Sequence, residues 1–153
     1  MLSDDQREKL RTYFQRQREV AAAFLFGSQA TGTAHAESDV DIAVLLRRGV
    51  SPQAAWDWQL GVMGDLEDLL GVRKVDVVLL HECSPLLRYQ VARDGKVLFE
   101  RDGAVARFRR RAWSEYFDLE PLRQKRRATR WRRLRDGTFG TRLYPRRGTT
   151  RQT

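Results

Sequence analysis

The residues best equipped for chemistry fall in one stretch, 27–41, which reads GSQATGTAHAESDVD. Gly27 and Ser28 close an apolar run that begins at Ala21. Gly27 has no Cβ, so its backbone can turn tightly and come close to a ligand. Ser28 adds a hydroxyl and a backbone N–H. A strand that stops in Gly-Ser presents N–H donors to an anion, as phosphate-cradling loops do. Asp39 and Asp41 are two residues apart, so on a strand both carboxylates leave the same face. Side by side they repel, and a bound cation relieves the repulsion. The donors are all oxygens, which points to a hard cation, Mg²⁺ or Mn²⁺ in its place. Phosphate donors beside a carboxylate pair for Mg²⁺ describe a nucleoside triphosphate site.

A small α/β (α+β) framework is expected to position these groups. Ser3 with Gln6 has the form of a capping box, so a helix starts near Asp4, with Leu10, Tyr13 and Phe14 as its core face. The apolar run 20–26 reads as a buried strand, 29–37 as a loop with one helical turn, and 39–46 as a second strand. Ser51-Pro52 is a helix start, with Ser as cap and Pro in the first turn. Trp56, Leu60, Met63, Leu66 and Leu70 then recur at helical spacing and read as the core stripe, ended by Gly71. The run 75–80 reads as a strand covered on both faces or nearly so. A helix from Ser84-Pro85 to near Gly95 and a strand over 96–100 follow. Asp102 is the expected cap of the next helix, with Val105, Phe108, Ala112, Tyr116 and Phe117 on its core face. A break at 118–121 precedes a last Arg-rich helix, 122–135. The sum is a mixed sheet of three or four strands with helices mainly on one side.

At 153 residues, 41% hydrophobic and 32% charged, the chain suits a soluble domain with a real core. No apolar run approaches the roughly 20 residues that span a bilayer. The polar, acidic start MLSDDQREKL lacks a signal-peptide core. A cytoplasmic location without membrane contact is the expectation. The single Cys83 excludes an internal disulfide, and with His81 it reads as an ordinary loop residue lacking zinc-ligand spacing. The net charge of +9 is uneven: residues 123–153 hold 12 Lys/Arg against one acid, Asp136, and the rest is close to neutral. This divides the chain into a body, 1–122, and an Arg-rich tail, 123–153, with disorder expected beyond Gly137. With Trp131 and Tyr144 interleaved, the tail suits nucleic acid, an acidic partner face, or plain solvation.

The spacing Gly27-Ser28, then Asp39-x-Asp41, resembles the signature of the DNA polymerase β-like nucleotidyltransferase superfamily. Over roughly residues 10–122 the chain is similar to minimal nucleotidyltransferases, the MNT-type antitoxins paired with HEPN toxins. The resemblance implies the polymerase β-like nucleotidyltransferase fold and a third carboxylate on a later strand. Asp76, within the apolar run 75–80, stands at that place; apart from the motif it would read as an aspartate on a strand's solvent-facing edge. Thr31 stands where relatives often carry a basic residue. The implied roles are two Mg²⁺ ions on Asp39 and Asp41, with Asp76 on the attacking side. Gly27 and Ser28 would hold the β,γ-phosphates of ATP. The implied acceptor is a tyrosine hydroxyl of a HEPN ribonuclease toxin, silenced by the AMP it receives. Two other readings are transfer to a small molecule of the aminoglycoside kind and neutralisation of a partner by contact alone.

Overall fold

The structure, a computed structural model, describes residues 2–27, 30 and 39–135. Helix α1 (Asp4–Arg16) starts with the expected box: Gln6 N–H donates to Ser3 Oγ at 3.2 Å and Ser3 N–H to Gln6 Oε1 at 3.0 Å. The other amide end of Gln6 donates to the Leu70 carbonyl at 3.1 Å, which ties this helix start to the end of a later helix. Strands β1 (Val20–Phe26) and β2 (Val40–Leu46) follow, then α2 (Pro52–Leu70), β3 (Val75–Leu79), α3 (Pro85–Asp94), β4 (Lys96–Glu100) and α4 (Ala104–Arg135). Most of the loop expected at 29–37 lies outside the described residues. Among the described residues no helix is long and apolar enough to cross a membrane.

The four strands form one sheet in the order β3-β2-β1-β4. β1 runs antiparallel to β2 and to β4, whereas β2 and β3 are parallel. A parallel neighbour requires a crossover, and α2 supplies it. Strand ends meet as a result: the end of β1 and the starts of β2 and β3 share one edge of the sheet.

The larger core lies on one face, where Leu10 and Phe14 of α1 and Ala55, Val62, Leu66 and Leu70 of α2 pack on Val20, Ile42 and Val77. Full burial of each large side chain contributes about 1.5–3 kcal/mol. Helices are not confined to that face. α3 and the first turns of α4 cover the other with a smaller cluster, in which Phe108 meets Phe24 at 5.3 Å between ring centroids. A sheet with apolar residues on both faces has to cover both.

Four expectations are corrected. The core face of α2 runs through Ala55, Val62, Leu66 and Leu70, leaving Trp56 and Leu60 exposed and Met63 partly buried. The helix is rotated because two polar residues, Gln59 and Glu67, face β3: Gln59 Nε2 donates to the Val77 carbonyl at 2.6 Å, and Glu67 Oε1 accepts from Val75 N–H at 3.2 Å. β3 is an edge strand, well covered on the Val75, Val77 and Leu79 side but only partly at Asp76 and Val78. Asp102 does not cap α4. Its carboxylate pairs with Arg47 at 3.5 Å, while Glu100 Oε1 accepts from Val105 N–H at 3.3 Å. Finally, α4 continues through Pro121 without the expected break, and Phe117 is exposed. Pro lacks an N–H for the helical ladder and costs about 3 kcal/mol in a helix interior, but the Leu, Arg, Gln and Lys around it favour helix.

The chain divides into two compact units, Met1–Tyr116 and Phe117–Thr153; residues 136–153 of the tail lie outside the described residues.

The rotation of α2 has a measurable consequence. Trp56→Ser should change unfolding free energy by no more than about 0.5 kcal/mol, whereas Leu66→Ala should lower it by about 2–5 kcal/mol. Urea titrations of the two variants check the assignment, and a large loss for Trp56→Ser would place the stripe where spacing alone puts it.

Candidate active site

β2 alternates its side chains, so Val40, Ile42 and Val44 enter the larger core while Asp39, Asp41 and Ala43 take the opposite face. On β3 the same alternation buries Val75 and Val77 and turns Asp76 to the face of Asp41. Asp41 and Asp76 are register partners across the parallel pair, and Asp41 is also opposite Phe26, the last residue of β1. Asp39, Asp41 and Asp76 therefore gather at the shared edge of the sheet. Asp76 is held from both sides, because α2 bonds the backbone of Val75 and of Val77.

Gly27 completes that edge. Its φ is +67°, in the left-handed region, and a Cβ built there would lie 2.3 Å from Asp41 Oδ2. Glycine is needed for the turn and for the space the Asp41 carboxylate occupies. The close approach argued for a ligand is thus first an approach to Asp41. Ser28 and Thr31 lie outside the described residues.

One participant had no signal strong enough to single it out. Lys74 Nζ donates to Asp39 Oδ2 at 2.9 Å and to Asp76 Oδ2 at 2.8 Å, bridging two strands. It lies two residues before Asp76, the spacing that puts both on one face of a strand; the available hint was Lys74-x-Asp76 itself. These bonds to the two carboxylates hold the Lys74 ammonium above the usual lysine range. Burial pushes Asp41 above the ordinary carboxylate value, the charges of Asp76 and then Asp39 add to this, and Lys74 opposes it.

A hard divalent cation fits this donor set. The three carboxylates offer only oxygens, they repel one another, and two already share a positive charge in the Lys74 ammonium. Among the described residues no three His, Cys, Asp or Glu side chains form a ready-made ion cage. The expected bystanders are ordinary: the Cys83 thiol donates to the Leu79 carbonyl at 3.3 Å, and His81 lies beside Glu82 at 3.6 Å.

The chain belongs to a class of transferases: residues 8–104 match the family Polymerase beta, Nucleotidyltransferase. Its similarity narrows to one kind of member. It is 43% identical over 86 residues to the protein adenylyltransferase MntA of Aphanizomenon flos-aquae, a match spanning 52% of this chain and 56% of that protein. To the protein adenylyltransferase MntA of Shewanella oneidensis it is 34% identical over 101 residues, spanning 66% and 69%. Among solved structures, a chain of a toxin–antitoxin complex with AMP-PNP aligns with a TM-score of 0.62 and 31% identity, covering 81% of this chain and 94% of that one. A chain from the complex of tri-AMPylated Shewanella oneidensis HEPN toxin with its MNT antitoxin aligns at 0.58 and 27% identity, covering 78% and 93%.

The crowding of carboxylates sets a stability test. A raised Asp41 pKa means the folded state prefers the protonated form, so stability falls as pH rises through that pKa. Asp41→Asn removes the repulsion and should raise the melting temperature in EDTA at pH 7 by about 2–4 °C, a modest gain because solvent screens the site. The advantage should shrink as pH falls toward the ordinary carboxylate range. Thermal melts of both proteins from pH 4 to 8 (about the span over which carboxylates titrate) check it, and an Asn variant that melts lower at pH 7 would contradict it.

Proposed function

We propose that this chain is an antitoxin that transfers AMP from ATP to a tyrosine hydroxyl of a cognate HEPN-type toxin and so neutralises it. The observation that carries the reading is the gathering of Asp39, Asp41 and Asp76 around the Gly27 turn. The relatives named for protein adenylylation, and the neighbours crystallised with AMP-PNP or with an AMPylated HEPN toxin, support it.

Each residue has a part. Gly27, with Ser28 next to it in sequence, offers backbone N–H groups to the β,γ-phosphates. Asp39, Asp41 and Asp76 would hold Mg²⁺, two ions with Mn²⁺ able to substitute, and the ions would supply positive charge to the reacting phosphate. Asp76, at the outer strand, takes the proton of the incoming tyrosine, whose hydroxyl has a pKa of about 10 and is a poor nucleophile until deprotonated. The tyrosyl oxygen forms a bond to the α-phosphorus, the bond to the bridging oxygen breaks, and pyrophosphate departs. Lys74 keeps Asp39 and Asp76 close in the cation-free protein. Placement and electrostatics supply the rate, since phosphoryl chemistry asks for little else. We assign the reaction to residues 1–122 and a docking role toward an acidic partner face to the Arg-rich 123–153.

Incubated with ATP, Mg²⁺ and its toxin, the full chain should add AMP to a tyrosine of the toxin, read by intact mass and peptide mapping. Asp41→Ala should slow transfer by about a hundredfold or more, and EDTA should stop it, with the physical complex retained in both cases. If Asp41→Ala neutralises the toxin fully with no adduct on any residue, contact alone explains the function.

A further inference from the structure

A second charged concavity lies at the other end of the same sheet. It is a cleft of about 750 Å³, formed where β2 leaves the sheet and where β1 enters it. Ala21, Leu45, Ala104 and Phe108 give it apolar lining. Five arginines line it as well: Arg47 and Arg48 from the loop after β2, Arg101 from the end of β4, and Arg107 and Arg111 from two successive turns of α4. His81 joins them, and Asp102 is the one carboxylate among the lining residues. Leu46 lies five residues along β2 from Asp41, so the cleft is roughly 17 Å from the aspartates, on strand rise alone.

A row of arginines along one helix is usually a solvated face. Here the arginines come from three separate segments and line one hollow, where like charges raise each other's energy unless an anion is present. Arg101 is committed elsewhere, donating to the Gln15 carbonyl at 3.1 Å with its guanidinium over the Phe99 ring, but Arg47 and Arg111 make ties of the exchangeable kind. Arg47 is 3.5 Å from Asp102, and Arg111 pairs with Glu115 at 2.8 Å with three quarters of its own side chain exposed. Exposed pairs of this kind contribute about 0–1 kcal/mol, little enough to be given up to a ligand. Arg107 is better fixed: Asp102, in the left-handed region at φ 52°, turns its carbonyl to accept from Arg107 Nη1 at 2.5 Å.

We propose that this cleft is a second ligand site, separate from the aspartate edge, that takes a nucleoside di- or triphosphate. Guanidinium forks match phosphate oxygens in pairs, and Arg47, Arg48, Arg107 and Arg111 on one hollow suit a polyanionic ligand. The volume is that of a small-molecule pocket, within the usual range of about 300–1,000 Å³. Its apolar lining offers a place for the base and sugar that a run of surface arginines would lack. A nucleic-acid strand would be served better by a stripe of charge than by an enclosed cluster. The site does not rest on the transfer reaction proposed above.

The experiment titrates the full chain, in EDTA, with ATP and separately with tripolyphosphate. Binding is followed by calorimetry and by the backbone amide signals of Gly49 and Val50. Both ligands should shift those two amides, ATP binding the more tightly. Arg48→Ser/Arg111→Ser should weaken both by about tenfold or more with an unchanged melting temperature. Asp41→Asn should leave the Gly49 and Val50 shifts intact, which separates this site from the active site. The proposal is overturned if the double variant binds as the parent does, which assigns the anion to the 123–153 arginines. It is equally overturned if tripolyphosphate binds as tightly as ATP, or if a single-stranded oligouridylate moves Gly49 and Val50 at lower concentration than ATP.

Discussion

Three carboxylates at one end of a sheet repel one another, and much of this structure is arranged to hold them there. Strand alternation places Asp39 and Asp41 on one face of β2, and the parallel register sets Asp76 beside Asp41. Neither step yields a stable arrangement unaided. Lys74 puts an ammonium between Asp39 and Asp76, α2 bonds the backbone on both sides of Asp76, and Gly27 leaves room for the Asp41 carboxylate. A sheet end without those supports would spread its charges apart or protonate one of them.

The same supports explain how an edge strand can carry an aspartate in register beside two others. An outer strand normally exposes backbone donors and acceptors. Gln59 and Glu67 of α2 take up two such groups on β3, so the strand is held in register. Asp76 stays partly open to solvent. The cost falls on α2, which gives two positions of its inner face to polar side chains and turns Trp56 and Leu60 outward.

Charge is segregated along the strand direction of the sheet. One edge gathers carboxylates around a glycine turn, and the other gathers five arginines around a hollow. β2 runs between them, with Asp41 near its start and Leu46 at its end. A nearly neutral body thus carries fields of opposite sign at the two ends of one strand.

Local features of this protein were legible in the chain. The Ser3–Gln6 box, the Ser51-Pro52 and Ser84-Pro85 starts and the Gly71 stop depend on groups within a few residues of each other, so their types and spacing suffice. The strands β1, β2 and β4 were legible because apolar runs of that length ending in Gly or polar residues have few alternatives. Alternation alone put Asp39 and Asp41 on one face. Other features waited on packing. Which stripe of α2 faces inward depends on Gln59 and Glu67 finding β3, partners 18 and 8 residues away. Glu100, not Asp102, accepts from the first turn of α4, across five residues and from the end of β4, while the Asp102 carboxylate lies beside Arg47 of another loop. Lys74 became part of the site only when β2 and β3 paired in parallel and brought Asp39 within 2.9 Å of it, across 35 residues of chain. Residue type and spacing determine which groups can do chemistry, but their charges act on each other only at distances that the sheet's strand order sets.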